Sequence, residues 1–524
     1  MSTTVRTPCD EAIARSTRAS APCAPGAERW IFAATILASS LVFIDGTVVN
    51  VALPQLQRAF DATIFQTQWV VESYALFLAT LLLLGGVAGD RYGRRRVFSI
   101  GVFVFAVASA WCAFAHSIDE LILARAVQGI GGALLVPGSL AILGASFPQE
   151  RRGKAIGIWS GYTAIAGALG PVLGGWLIDH FSWRWAFLLN IPLAIAVLAI
   201  THWRVGESRD PVAPALDWTG AALATAGIGA LVFGLIEAAQ RGWADPWIVG
   251  AFVSSAIALA AFALLESRVP SPMLPPRVFR SRNFTGANVL TLLLYAALGG
   301  GLFFLPLDLI QVHGYSATAA GAALLPLVII MFVLSGWAGG LVDRYGARLP
   351  LVVGPSIAAA GFALFAVSGV GGSYWTTFFP PIVVLGLGMG VCVAPLTTTV
   401  MNALDTSLAG VASGINNAMS RVAGLLAIAL FGIVMNYVFC THLQQHLDAI
   451  ALPPDVLHAI TAERAKLGAM QIPQTLDPTL RKALQEAVAE SFVAGFRCVM
   501  SISALLALAS AGIAWLMISG KRRR

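Results

Sequence analysis

The chain has 524 residues, of which 57% are hydrophobic and 11% charged, and its mean hydropathy is +0.79. So few polar side chains cannot cover a soluble protein of this size, which excludes an ordinary water-soluble domain. The formal charge of +7 is spread over short turns rather than gathered in one basic patch, so no nucleic-acid partner is expected.

In chain order, residues 1–29 are polar, contain Pro and Cys, and lack the apolar core of a signal peptide. They read as a disordered cytoplasmic tail. Fourteen apolar runs follow, near 30–53, 67–88, 97–116, 119–145, 154–179, 184–203, 217–238, 246–266, 284–312, 316–341, 349–370, 377–399, 409–439 and 491–518. Each is long enough to span, because a bilayer core of about 30 Å needs roughly 20 helical residues. With the N-terminus inside, most of the 33 Lys and Arg fall in cytoplasmic turns and tails, Lys521 to Arg524 included. Both termini are therefore predicted to be cytoplasmic.

Charges inside these runs carry the most information, since each costs several kcal/mol unless paired or hydrated. Helix 1 carries Asp45, nine residues before Pro54 and so about 13 Å below the outer end. Helix 4 runs the other way and carries Arg125 roughly 9 Å deep. The matching depths predict an ion pair, either structural or part of proton coupling. Glu72 in helix 2 is open to three readings: a second titrating group, a cavity-lining residue, or a carboxylate solvated at the interface. Asp308 near the outer end of helix 9 is similar, and Glu237 and Glu266 at helix ends are expected to be solvated. Arg421 in helix 13, beside Asn416 and Asn417, is deeper. It reads as cavity-facing or as a hydrogen-bond centre inside the bundle.

Two turns repeat. Gly-Asp-Arg-Tyr-Gly-Arg-Arg-Arg (89–96) follows helix 2, and Asp-Arg-Tyr-Gly-Ala-Arg (343–348) follows helix 10, half a chain later. Glycine permits the tight reversal, Asp90 can face the positive N-terminus of the next helix, and the arginines sit at the anionic inner leaflet. The pair could latch the cytoplasmic side or merely mark topology. Helix 5 contains Gly167-Ala-Leu-Gly-Pro-Val-Leu-Gly-Gly (167–175), where small residues admit a close neighbour and Pro171 breaks a backbone bond. A hinge or outer seal is expected there, with Gly170 and Gly174 keeping the two halves close.

The repeat aligns helices 1–6 with helices 9–14, and helices 7 and 8 have no counterpart. The predicted fold is therefore all-α and membrane-embedded: two pseudo-symmetric six-helix bundles plus an inserted pair. The units are the tail 1–29, a first bundle 30–204, a linker with the inserted pair 205–282, a second bundle 283–518 and a basic tail 519–524. Residues 440–490 form an external loop with two amphipathic patterns, Leu443–Leu452 and Leu480–Val488, and read as a solvated cap or a docking surface. The six cysteines show no metal spacing; Cys440 and Cys498 are near enough in the predicted topology for a disulfide to be open. No His/Glu metal spacing or nucleophile motif suggests an enzyme, no cofactor is expected, and the histidines, His313 among them, look mostly peripheral.

Taken together, these motifs resemble the major facilitator superfamily, and within it the fourteen-helix drug:proton antiporters. Gly86, Asp90, Arg91, Gly93, Arg94 and Arg95 match the superfamily's loop between helices 2 and 3. The second copy, with Asp343 and Arg344, is degenerate because Ala347 replaces a basic residue. The run 121–132 resembles the helix 4 motif whose arginine, here Arg125, is implicated in proton transfer. Asp45 stands in the branch's helix 1 motif. Gly167, Gly170, Pro171, Gly174 and Gly175 resemble the signature that separates exporters from importers. The resemblance implies a multidrug efflux antiporter of the bacterial inner membrane, conferring antibiotic resistance. Its partners are a small amphiphilic substrate, protons and the lipid bilayer, with a periplasmic adaptor and outer-membrane channel used by some relatives. A dedicated exporter of an endogenous lipid, siderophore or metabolite is the alternative on the same fold. A sensor or scaffold is disfavoured, because it needs no hinge.

Overall fold

In a lipid core every backbone N–H and C=O must be satisfied within the chain, and helices do this segment by segment. The computed structural model describes residues 28–147, 149–210, 216–269, 272, 274–404, 409–450, 452–474 and 476–520. The predicted tail before residue 28 and the basic run Lys521 to Arg524 lie outside the described residues. Fourteen helices among them are long and apolar enough to cross a membrane. They are α1 (Glu28–Phe60), α2 (Ile64–Tyr92), α3 (Arg94–Phe114), α4 (Ile118–Ser146), α5 (Gln149–His180), α6 (Trp185–Arg204) and α7 (Trp218–Arg241). The remainder are α8 (Pro246–Arg268), α9 (Arg282–Val312), α10 (Ala317–Gly339), α11 (Arg348–Phe365), α12 (Phe379–Asn402), α13 (Ala409–Ala449) and α14 (Pro478–Met517).

The packing repeats with an offset of eight helices. In the first half α1 packs on α4, α5 and α6, α2 packs on α4, and α3 packs on α4 and α6. In the second, α9 packs on α12, α13 and α14, α10 on α12, and α11 on α12 and α14. The halves meet along two seams, α5 against α10 and α2 against α13. Helices α7 and α8 pack on each other, and α7 lies on the α2–α13 seam. The sequence predicts such an added pair but not where it sits. Trp69 on α2 donates to Glu237 of α7 at 3.3 Å, and Thr225 of α7 donates to Thr80 of α2 at 2.9 Å.

The two repeated turns owe their shape to glycine. Gly93 has φ of 112° and Gly346 has φ of 79°, a backbone region that other residues rarely occupy. Beside the first turn, Glu207 accepts from the backbone N–H groups of Arg95 and Arg96, both at 3.1 Å. It thereby caps the otherwise open N-terminus of α3.

The largest departure from expectation is in 440–490. The first amphipathic pattern, as far as Ala449, and the whole of the second belong to the long helices α13 and α14, and Leu443, Leu447, Leu484 and Val488 are buried. At 41 residues α13 is about 60 Å long, twice a hydrocarbon core, so it projects well beyond the membrane. Only a short stretch between them forms a cap, with a helix at Pro454–Glu463 and a turn at Arg464–Ala469. Lys466 pins that cap to Asp61, in the α1–α2 turn, at 2.5 Å and to Glu463 at 2.6 Å. Cys440 and Cys498 are both free, so the disulfide left open by the sequence is not formed.

Candidate functional site

Asp45 lies in the middle of α1 and is fully buried. Its Oδ2 pairs with Nη1 of Arg125 from α4 at 2.5 Å. Its Oδ1 accepts from Gln128 Nε2 at 2.8 Å and from Asn190 Nδ2 of α6 at 3.0 Å. Both amides also reach the Ser109 hydroxyl on α3, at 2.7 and 3.1 Å. Four helices of the first half therefore converge on one carboxylate.

Arg125 is held just as fully. Its Nε donates to the Val70 carbonyl at 3.1 Å, and Nη1 also donates to Gln128 Oε1 at 2.5 Å. The guanidinium carbon stands 4.1 Å from the centre of the Tyr74 ring, a cation–π contact. Gln128 thus turns its oxygen to the guanidinium and its nitrogen to the carboxylate. A buried ion pair repays its desolvation only when other hydrogen bonds support it, and here both Asp45 oxygens and the Arg125 Nε and Nη1 have partners. Apart from Asp45, Arg125 is held by Val70, Gln128 and the rings of Tyr74 and Phe187.

Sequence reasoning brings Asp45 and Arg125 to matching depth, and the structure places them in contact. It does not anticipate Gln128, Asn190 or Ser109. Gln128 was within reach of the argument, because it follows Arg125 by three residues and shares its helix face. Asn190 and Ser109 come from helices that carry no charge in mid-span to draw attention to them.

Glu72 is not solvated at an interface. It is fully buried, and neither carboxylate oxygen has a hydrogen-bond partner. The correction arises because Gln68 and Trp69, one turn earlier on the same face of α2, bond to α13 and α7, which cover that face. Asp308 is likewise buried, in the π-helical turn Asp308–Val312, with His313 Nε2 at 3.5 Å from its Oδ2. His313 is therefore not peripheral, its side chain being only 4% exposed. Glu266 is buried too and accepts from the Leu274 N–H at 2.8 Å, while Glu237 accepts from Trp69 and Arg241.

At the repeated turns, Asp90 pairs with Arg94 of its own turn at 2.8 Å, and its carbonyl accepts from Asp210 N–H at 2.8 Å. Arg91 is exposed, as are Asp343 and Arg344 in the second copy. The first turn is thus tied to its own linker rather than to the second half. Gly86 faces Pro137 of α4.

The glycines of α5 divide between two neighbours, which corrects the expected seal. Gly170 faces Thr47 and Ile44 of α1, and Gly174 faces Val48 of α1, all inside the first half. Gly167 faces Phe43, and its carbonyl, freed by Pro171 one turn later, accepts from Thr47 Oγ1 at 3.3 Å. The contact with the second half is made by Gly175 against Ala317 and Thr318, and by the Pro171 carbonyl against Gly321 of α10. Four residues from Gly175, Asp179 accepts from the Ala317 and Thr318 N–H groups at 3.0 and 2.8 Å.

In the second half, Asn416 donates to Asn288 Oδ1 at 3.2 Å and to Thr291 Oγ1 at 2.7 Å, joining α13 to α9. Asn417 is exposed and Arg421 is part-buried. Among the described residues no cluster of His, Cys, Asp or Glu is arranged to hold a metal ion.

The family model for the Major Facilitator Superfamily matches residues 35–428. The chain is 34% identical over 483 residues to the tetracenomycin C resistance and export protein of Streptomyces glaucescens, covering 90% of this chain and 88% of that one. It is 33% identical over 484 residues to the multidrug resistance protein Stp of Mycobacterium tuberculosis, with the same coverage. Its fold matches a bacterial homolog of the human lysosomal transporter Spinster, in an inward-facing and unoccupied conformation, with a TM-score of 0.66 at 18% identity over 95% of this chain and 99% of that one. A family model over three quarters of the chain, near full-length relatives and one shared fold agree: this chain belongs to the major facilitator superfamily, whose members are membrane transporters and not enzymes.

Proposed function

We propose that the chain is a proton-driven exporter of hydrophobic or amphiphilic compounds such as drugs, dyes or biocides. It works by alternating access in a bacterial cytoplasmic membrane, with both termini on the cytoplasmic side. Relatives named for resistance and export support the direction and the kind of cargo. The observation that carries proton coupling is Asp45: one buried carboxylate, bonded to Arg125, Gln128 and Asn190, in the half that must rock.

The cycle follows from that constellation. Charged Asp45 holds Arg125 and, through Ser109 and Asn190, ties α1, α3, α4 and α6 into one body. Protonation loosens the tie, and release of the proton on the other side restores it. One charge falling through about 100 mV supplies roughly 2.3 kcal/mol. At about 1.4 kcal/mol per decade, that sustains a gradient of some tens-fold for a neutral solute.

Asp45→Asn keeps the shape and removes the titration. In everted vesicles with an imposed pH gradient, the variant is expected to bind dye but lose uphill accumulation. Accumulation equal to that of the parent would remove Asp45 from the coupling mechanism.

A further inference from the structure

Arg421 is an in-span arginine that the Asp45 network leaves unexplained. On α13, Gly414, Arg421 and Ile428 recur at intervals of seven and face α2. A Cβ on Gly414 would stand 2.7 Å from Leu83, and the Ile428 carbonyl accepts from Gln68 Nε2 at 3.1 Å. Arg421 lies midway between these two contacts, in the middle of the seam between the halves, level with the stretch of α2 that carries Tyr74. Its Nε is buried without an acceptor, and among the described residues no carboxylate pairs with it. It lies twelve residues from the start of α13, so roughly 18 Å deep, beyond the reach of lipid headgroups. An uncompensated cation at that depth costs several kcal/mol, and such residues mark transport pathways.

The neighbouring side chains do not repay that cost. Asn416 is committed to Asn288 and Thr291, and the Ser420 hydroxyl donates to the Asn417 carbonyl. Glu72 lies on the facing helix about a turn away along the seam. It is fully enclosed and does not touch the guanidinium. Tyr74 offers an aromatic ring whose contact with Arg125 ties it to the Asp45 network. An aromatic body carrying an acidic oxygen satisfies both, since Arg pairs with a carboxylate and stacks on π systems.

We propose that Arg421 is the anion-binding residue of the transport site and that the exported compounds are aromatic acids, carrying a carboxylate, enolate or phenolate. The proposal rests on the export reading above and narrows it. An inside-negative potential of about 100 mV favours exit of each negative charge by roughly 2.3 kcal/mol, so an anion needs less proton work than a cation.

The test is equilibrium binding of matched xanthene dyes to the purified full-length protein, without any gradient. Anionic fluorescein should bind at least about tenfold more tightly than cationic rhodamine 6G. Arg421→Gln should weaken fluorescein binding by about tenfold or more and leave rhodamine 6G unchanged, whereas Arg421→Lys should keep most of it. Preference for rhodamine 6G, absence of fluorescein binding by the parent, or an unaffected Arg421→Gln would each overturn the proposal. So would a Glu72→Gln variant that loses fluorescein as severely as Arg421→Gln, because Arg421 would then serve Glu72 in another state of the cycle. If Arg421→Gln does not fold, the charge preference of the parent still decides. Because no gradient is used, failure of proton coupling at Asp45 leaves this result standing, and the reverse holds too.

Discussion

Asp179 at the end of α5 holds Thr318 at the start of α10 through two hydrogen bonds, 2.8 Å from the backbone N–H and 2.6 Å from the hydroxyl. A third, from the Ala317 N–H, reaches its other oxygen at 3.0 Å. A side chain of one half thus caps a helix of the other. A carboxylate suits that place, because a helix N-terminus presents unpaired N–H groups and a partial positive charge.

Asp179→Ala removes this cap. The group is exposed, so the loss is about 1 kcal/mol, close to that of an ordinary N-cap substitution. That is roughly fivefold in the ratio of closed to open at this end. Distance distributions between spin labels on α5 and α10 should broaden towards longer separations. An unchanged distribution would mean that packing alone closes the seam.

Packing there depends on Gly175. A Cβ on it would stand 2.6 Å from the Thr318 nitrogen, and backbone atoms cannot turn aside as a side chain can. Gly175→Leu should therefore hold the halves apart and abolish the gradient in proteoliposomes, through proton leak or loss of transport. Leu173, 44% exposed on the same helix, provides the control: Leu173→Val should be nearly silent. Gly170→Leu should instead destabilise the first half, since its neighbours belong to α1. Thermal unfolding separates the two effects.

The cap depends on Lys466, whose side chain is 11% exposed between Asp61 and Glu463. Burial works against the charged amine, but the hydrogen bonds to Asp61 and Glu463 outweigh it and raise its pKa above the ordinary lysine value. A raised pKa means stability that is complete below the unfolded value, near 10.4, and lost only as pH climbs through the folded one. On the lysine side, the clamp should not vary across neutral pH and should fail only in strong alkali. Lys466→Met should speed hydrogen exchange of residues 454–469 by about tenfold, as expected for roughly 1.4 kcal/mol of local stability. Exchange as slow as in the parent would show that apolar contacts hold the cap.

Much of the fold is legible in the chain because the bilayer imposes a one-dimensional code. Helices must be apolar over a fixed length, turns between them carry the charge, and the repeated Asp-Arg-Tyr-Gly turn marks the second half. The same code places Asp45 and Arg125 at one depth, since depth is a count along a helix. It misjudges the ends of α13 and α14, where amphipathic turns continue helices already begun.

What depth cannot supply is azimuth, the direction in which each helix face looks, because that is settled by which helices become neighbours. Tertiary packing alone decides that Gln128, Asn190 and Ser109 surround Asp45. It also encloses Glu72 beneath α7 and α13, although its position along α2 suggests solvent. Gly170 and Gly175 differ by five residues in one motif, yet one meets its own half and the other meets the opposite half. Five residues turn an α-helix by about 140°, enough to exchange one neighbour for another.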